Sequence, residues 1–380
     1  MAEDKLKIGL ALSGGGFRAT LFHLGALRRL NELGWLRKLD IITSVSGGAI
    51  IAGVLARHWN ELSWGPDPKD PSRIVAANFS SLIEPPIRDF CGRHIDVLTG
   101  LAGLIDHDSS FGERIAAAYD KHLFDHWTLQ QLPPFEAGKS PRFVFYATSF
   151  QTGNSVRISP KYLADYRIGR IDAPNFSLAM TVAASSAFPP LLSPVVFNIE
   201  DPSVWREVPG ADQYRNAALK QQLILGDGGI YDNLGLEAVW RRCETVLVSD
   251  GGAPMDVESS PWTNPVSQMN RVRDILINQT RALRKRQLID EFQKQLRAGA
   301  YWGVTTQIAN YQLADAIAHD SERTAAQQHA RTRLDRFNDR EQGELINWGY
   351  ALADAGMRAH VMTGTPVGAW HWPDTDYKFP

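Results

Sequence analysis

The stretch I-I-T-S-V-S-G-G-A-I-I-A-G-V-L-A, Ile41 to Ala56, decides how this chain is read. Its first five residues, Ile41 to Val45, are β-branched or small and spell a buried strand. The strand stops at Ser46-Gly47-Gly48, and the small apolar residues that follow spell a buried helix. A strand, a sharp turn with a serine at its tip and a helix make the layout of a nucleophile elbow. The serine has to point away from both flanking elements, so its backbone is strained and its neighbours must be small. The usual spelling is G-x-S-x-G. Here Ser44, Ser46 and Gly48 give S-x-S-x-G, with Ser44 still small enough for strand and helix to approach.

Upstream, L-K-I-G-L-A-L-S (Leu6 to Ser13) reads as a strand running into Gly14-Gly15-Gly16 and then a helix from about Arg18 to Leu33, with Gly34 as its stop. The order β–Gly loop–α–β–elbow–α begins a parallel sheet covered by helices. Three glycines after a strand free several backbone N–H groups to converge, and the helix N-terminus behind them adds partial positive charge. Such a loop stabilises an anion, as a phosphate cradle or as an oxyanion hole; a plain tight turn is the third reading. The loop is neither a dinucleotide fingerprint in register nor a Walker loop, for it lacks G-K-[ST].

The bulk composition narrows the class. The 380 residues, 44% hydrophobic and 22% charged, can bury a large core. A net charge of -2 gives no support for a nucleic-acid partner or a polybasic tail. Two cysteines, Cys91 and Cys243, make neither a disulfide framework nor a thiolate metal site and suit a reducing cytosol. A first strand at Leu6 leaves no room for a secretory signal peptide, and no apolar run reaches the roughly 20 residues of a spanning helix. A soluble, cytoplasmic protein is expected, able to touch a bilayer from outside.

S-G-G-G-F-R-A at Ser13 to Ala19, together with S-V-S-G-G at Ser44 to Gly48, resembles the patatin-like phospholipase family. The family's usual first motif is D-G-G-G-x-R-G; Ser13 replaces the Asp, while Gly14, Gly15, Gly16 and Arg18 match. Two further family motifs follow in order: the small-residue stretch A-A-S-S-A-F-P-P-L-L-S-P (Ala183 to Pro194) and D-G-G at Asp227-Gly228-Gly229 within L-I-L-G-D-G-G-I-Y-D-N-L-G. The resemblance covers Ser13 to Gly235. It implies a three-layer α/β fold with a mostly parallel central sheet and, in this chain, a helical C-terminal portion. One hydrolase domain over 1–380 is expected, its motif-bearing core at about 6–255 and its helical part at about 265–380.

The resemblance also implies a chemistry. A serine hydroxyl needs a base to attack an ester. Where most serine hydrolases use His held by a carboxylate, the family implies a Ser–Asp dyad, Ser46 and Asp227, with Gly14, Gly15 and Gly16 as the oxyanion hole. Arg18 would steady the loop or attract the lipid phosphate. The expected substrate is a phospholipid or other acyl lipid drawn from a membrane surface, with no cofactor and no metal. General carboxylesterase or thioesterase action on soluble esters is the alternative, and a non-catalytic lipid-binding module the second. Asp250-Gly251-Gly252, a second D-G-G, competes with Asp227 but reads better as a strand end and turn. His23, two turns into the first helix, is the nearest histidine and reads as structural.

The remaining chain is read more coarsely. Asn60 to Asp70 and Glu84 to Asp108, rich in proline, read as loops; within the second, Ile95 to Ile105 reads as a helical cap beside the mouth or as an ordinary buried helix. Arg142 to Phe150 and Ser155 to Ile158 read as paired strands, and Ser177 to Ser185 as a helix. Val266 to Leu296 is a long amphipathic helix whose basic cluster, Arg281, Arg284, Lys285 and Arg286, is a solvated face or a contact for lipid headgroups. Tyr301 to Tyr311 is expected as a strand and Ser321 to Phe337 as helical. Asn338-Asp339-Arg340-Glu341 is expected to cap a last helix through Arg358.

Overall fold

The computed structural model describes residues 6–94, 111–190, 192–261, 263–332 and 334–380. The stretch Ile95 to Ile105 lies outside the described residues.

Eleven strands form one sheet. Five of them are parallel neighbours in the order β5-β2-β1-β12-β13: β5 (Arg142–Ser149), β2 (Ile41–Ser44), β1 (Leu6–Leu12), β12 (Cys243–Asp250) and β13 (Ala298–Gly303). Antiparallel strands β6 (Ser155–Ile158), β7 (Tyr162–Asp165), β8 (Gly169–Asp172) and β10 (Trp205–Arg206) extend it beyond β5. The remaining two, β9 (Val195–Asn198) and β11 (Gln222–Asp227), pair with each other, and β11 lies antiparallel on β5. A small hairpin, β3 (Trp64–Asp67) and β4 (Asp70–Ala76), stands apart.

The period-two alternation of side chains along a strand divides the core into two layers. Leu10, Leu12, Ile42, Phe143, Phe145 and Leu247 point into the larger one; Ala11, Ile41, Val144, Tyr146, Val246 and Val248 point into the other. Being buried on both faces, the central strands read as continuous apolar runs. The larger layer is filled by helices α1 (Gly16–Glu32), α2 (Gly47–His58), α3 (Phe79–Cys91), α4 (Phe111–Tyr119), α5 (Leu178–Ser186) and, far along the chain, α11 (Asp339–His360). Short helices α6 (Ala218–Gln221), α7 (Gly229–Asp232) and α8 (Glu237–Arg242) and the long α9 (Pro265–Gln293) precede α10 (Glu322–Ala326).

Helix α1 is buried over almost its whole length, and α11 is its main partner. The two cross closely because glycines meet backbone: a β-carbon on Gly25 would overlap the Ile346 carbonyl, and one on Gly349 would overlap that of Phe22. The charged groups in this seam are paired. Arg29 Nη2 donates to Asp354 Oδ1 at 2.6 Å and Arg358 Nε to Asp354 Oδ2 at 2.9 Å, with all three side chains 0–1% exposed. The capping box expected at Asn338 is present: Asn338 Oδ1 accepts from the Glu341 N–H at 3.0 Å, and Glu341 Oε2 accepts from the Asn338 N–H at 2.8 Å.

Several expectations are corrected. Glu84 to Cys91 is helical despite Pro85 and Pro86, because Phe79, Ile83, Ile87 and Phe90 recur on one face and are buried; packing overrides propensity. Asn60 to Asp70 supplies part of the β3–β4 hairpin. Strand β13 ends at Gly303 and not near Tyr311, since the Gly303 N–H turns to Thr306 Oγ1 at 3.2 Å and Ile308–Tyr311 closes as a 3-10 turn. Among the described residues between Ser321 and Phe337, only Glu322–Ala326 and a 3-10 turn at Gln327–His329 are helical; the chain then leaves the helix and delivers the Ala330 carbonyl to Arg18 Nη1 at 2.7 Å.

Candidate active site

The sequence-predicted residues meet at the carboxyl ends of the parallel strands. At the tip of β2, Ser46 adopts φ 52 and ψ -119. Positive φ in a residue with a side chain costs energy and persists where the surroundings hold it. Two features hold it here. The Ser46 N–H donates to Ser185 Oγ of α5 at 3.0 Å, and the next residue is glycine in a place where nothing larger fits. A β-carbon on Gly47 would overlap the Gly16 carbonyl oxygen and come within 3.0 Å of the Gly16 nitrogen.

Asp227 reaches the same place from the opposite direction. Strand β6 occupies one edge of β5, so β2 and β11 share the other. Strand β2 runs parallel to β5 and pairs Ser44 with Phe145; β11 runs antiparallel and pairs Asp227 with Ala147. Their carboxyl ends therefore face each other two β5 residues apart, about 7 Å at the usual strand rise. The Asp227 main chain is anchored on the α5 end: its N–H donates to the Ala187 carbonyl at 2.8 Å and the Gly228 N–H to that of Ser185 at 3.1 Å. Ser185 thus holds the serine through its hydroxyl and the aspartate loop through its carbonyl.

The Asp227 side chain is 3% exposed. Burial pushes its pKa up to about 7, against the opposing pull of the Gly229 N–H, which donates to Oδ1 at 2.7 Å, and of the Ser46 hydroxyl. Ser46 itself is 9% exposed. Asp250 is differently placed. Its carboxylate is taken up by Arg281 (Nη2 at 2.7 Å), Tyr301 Oη at 2.7 Å and the Gly252 N–H at 2.9 Å, and the Arg281 guanidinium beside it helps to hold its pKa down although burial opposes. The structure brings Asp227, not Asp250, to Ser46.

The glycine loop is not uniform. The Gly14 N–H is committed to the Asn233 carbonyl at 3.0 Å. The N–H groups of Gly15, Gly16 and Gly47 have no acceptor among the described residues. Gly47 was not singled out from the sequence, although its position directly after the serine is the signal for it. Ser185 stands in the sequence as one more small residue of Ala183 to Pro194, with no local signal of this role. Asn233 likewise carries no local signal; its Oδ1 fills the space where a β-carbon on Gly14 or Gly229 would stand.

Arg18 is 1% exposed and turned inward. Its Nε donates to the Gly251 carbonyl at 2.8 Å and its Nη1 to that of Ala330, and burial lowers its pKa to about 10. Of its two expected roles, this geometry serves the steadying of the loop. Ser13, standing where the family has Asp, accepts the Gly251 N–H on its hydroxyl at 2.8 Å. His23 is fully buried. Trp302 Nε1 donates to Ser249 Oγ at 3.0 Å, which leaves that hydroxyl to donate to His23 Nδ1 at 2.8 Å, so Nε2 carries the proton and donates to the Ser13 carbonyl at 3.0 Å. Burial lowers its pKa to about 4, so the ring is neutral. Among the described residues no group of three or more His, Cys, Asp or Glu side chains is placed to hold a metal.

A serine at a strained strand-to-helix turn, under a glycine loop and on a mostly parallel sheet, defines the class of the elbow-bearing α/β proteins. The sequence matches the family described as Patatin-like phospholipase over residues 10–240, and the chain belongs to that family. No curated protein matches it in sequence. Among solved structures, a human GIVD cytosolic phospholipase A2 with a fluorophosphonate inhibitor is similar in fold: TM-score 0.50 and 13% identity over 93% of this chain. This chain spans 58% of that enzyme's length. VipD from Legionella pneumophila aligns with 94% of this chain and 68% of its own at a TM-score of 0.37 and 14% identity. Among the described residues no helix is long and apolar enough to cross a membrane.

Proposed function

We propose that the chain hydrolyses acyl ester bonds of membrane phospholipids with Ser46 as nucleophile and Asp227 as its base. The observation that carries the reading is the head-on approach of β2 and β11 along one edge of β5, which sets a buried carboxylate against the hydroxyl at the elbow. A base with a pKa near the working pH combines a useful deprotonated fraction with real proton affinity, and about 7 is such a value. His23, hydrogen-bonded to the Ser13 carbonyl beside the glycine loop, is occupied on both ring nitrogens.

Ser46 Oγ attacks the ester carbonyl while its proton passes to Asp227. The carbonyl oxygen, now an anion, takes hydrogen bonds from the free N–H groups of Gly15, Gly16 and Gly47, each worth on the order of 100–1,000-fold in rate. Gly14 contributes shape and not a donor. The tetrahedral species collapses, the C–O bond to the lysophospholipid breaks, and the leaving oxygen takes the proton from Asp227. Water then attacks the acyl-serine, gives a proton to Asp227, and releases the fatty acid as Ser46 recovers its hydrogen.

The test is fatty-acid release from mixed phospholipid vesicles by the wild type, Ser46→Ala and Asp227→Ala. The reading expects release by the wild type and a loss of at least about 1,000-fold in each variant. Activity retained in Asp227→Ala removes the dyad. Cleavage of soluble esters without release from vesicles replaces the phospholipase with a general esterase, and inactivity on both leaves a binding module.

A further inference from the structure

The cations of α9 are not alike. Arg271, Arg273, Arg281 and Arg284 are half-buried, and each meets a carboxylate: Glu258 at 3.2 Å, Asp274 at 2.8 Å, Asp250 at 2.7 Å and Asp232 at 3.6 Å. Lys285 is half-buried as well, yet it makes no ion pair or hydrogen bond among the described residues. Its ammonium stands 4.4 Å from the centroid of the Tyr301 ring. Burial holds its pKa below the ordinary lysine value, although the Asp250 charge opposes this. A cation drawn out of water without a counter-ion is destabilising, and a bound anion would relieve it.

Lys285 lines a cavity of about 830 Å³ between the last turns of α9, strand β13 and the turn at Ile308–Tyr311. That size lies within the range of small-molecule sites, roughly 300–1,000 Å³. Strand β13 ends the parallel series three neighbours from β2, about 14 Å at the usual spacing, and neither Ser46 nor Asp227 lines the cavity. No acid lines it either. The phenol of Tyr301 is spent on Asp250 at 2.7 Å and that of Tyr311 on the Tyr301 carbonyl at 2.9 Å, so these rings, with Phe292, form wall and offer no donor. Arg297 is committed too, its Nε to Glu291 at 2.9 Å and its Nη1 to the Cys243 carbonyl at 2.7 Å. His360, whose ring centroid is 5.8 Å from that of Tyr311, has its pKa lowered by burial and is neutral. Lys285 is the charge left for a ligand. The side-chain amides of Gln293 and Asn310, which have no partner among the described residues, line the same cavity as neutral donors.

One cation without a counter-ion, aromatic walls, neutral donors and no acid together select an anion carried on a ring. We infer that the cavity at the β13 edge binds a small aromatic carboxylate, with its anionic group on the Lys285 ammonium and its ring against Phe292 and Tyr301. The test is isothermal titration calorimetry of the full chain with three probes. Naphthoate has both charge and ring, naphthamide has the ring without the charge, and inorganic phosphate has the charge without the ring. The wild type is expected to bind naphthoate with a Kd of about 1 mM or tighter, and the other two at least about tenfold more weakly. Lys285→Met keeps an apolar stem and removes the charge, and is expected to weaken naphthoate binding about tenfold or more. Gln293→Glu, at an exposed position, adds an acid to the wall and is expected to act in the same direction. It decides the matter where Lys285→Met loses the wild-type circular dichroism spectrum. No naphthoate binding by the wild type overturns the inference, as do equal affinities for naphthoate and naphthamide. Phosphate bound as tightly as naphthoate also overturns it, for the rings then select nothing. So does an affinity that folded Lys285→Met leaves unchanged, since the carboxylate then sits elsewhere, the Ser46 cleft included.

Discussion

A buried carboxyl with a raised pKa is held in the folded state at a cost to stability, and Asp227→Asn measures that cost. Folding lifts the Asp227 pKa from 3.8 to about 7 through burial. Below pH 4 both folded and unfolded chains carry the proton, and the group has no effect on stability. As pH rises from about 4 to 7, the unfolded chain releases the proton more readily than the folded one, so stability falls; above 7 the loss is complete. A displacement of that size corresponds to at most about 4 kcal/mol. Asparagine keeps an Oδ1 to accept the Gly229 N–H and carries no charge to desolvate. The variant is therefore expected to be about 1–4 kcal/mol more stable than the wild type at pH 8 and equal to it at pH 4. For a chain of 380 residues this is about 1–5 °C in melting temperature. Differential scanning calorimetry across that pH range, with fatty-acid release beside it, checks both halves: the variant gains stability and loses hydrolysis. An offset that does not change with pH refutes the reasoning, because Asp227 would then ionise alike in the folded and unfolded chains.

The wild-type rate is expected to rise through pH 7 to a plateau as Asp227 becomes able to accept a proton, and a profile flat from pH 5 to 9 contradicts that base. Ser185→Ala strands the Ser46 N–H at the elbow, a loss of about 1–3 kcal/mol; kcat is expected to fall about tenfold or more with KM unchanged, and an unaltered kcat removes Ser185 from the site's support. For His23 the sign is opposite to that of Asp227. A pKa lowered to about 4 stabilises the fold above the ordinary histidine value, and that contribution is lost as pH falls from about 6.5 towards 4. His23→Gln is expected to flatten this acid sensitivity in urea titrations while leaving hydrolysis by the folded protein in place; abolished hydrolysis in a folded variant restores a histidine mechanism.

Much of the site was legible because local geometry has local signatures. A strand ending at Ser46 between small residues, a triple glycine ahead of a helix, and a D-G-G after an apolar run each state a backbone shape in a few consecutive residues. The same holds for Asn338 and Glu341, whose reciprocal hydrogen bonds span one helical turn. Helix α3 shows the limit of local reading. Pro85 and Pro86 argue against a helix, and only the core that receives Phe79, Ile83, Ile87 and Phe90 overrules them.

By itself, then, the amino-acid sequence determined the order of elements, the elbow and the family, for these rest on short-range stereochemistry and periodicity. Motif context favoured Asp227 over Asp250, but only the tertiary structure gives the physical reason. The reason is that β11 runs antiparallel on β5 while the Asp250 carboxylate is neutralised by Arg281, 31 residues further along the chain. The tertiary structure also decided that Gly14 spends its N–H on Asn233, that Arg18 turns inward, and that Arg281 of α9 turns inward to Asp250. Each of these turns on a partner distant in sequence, and the partners of a charge or an N–H group become known only when the chain has brought them within hydrogen-bond reach.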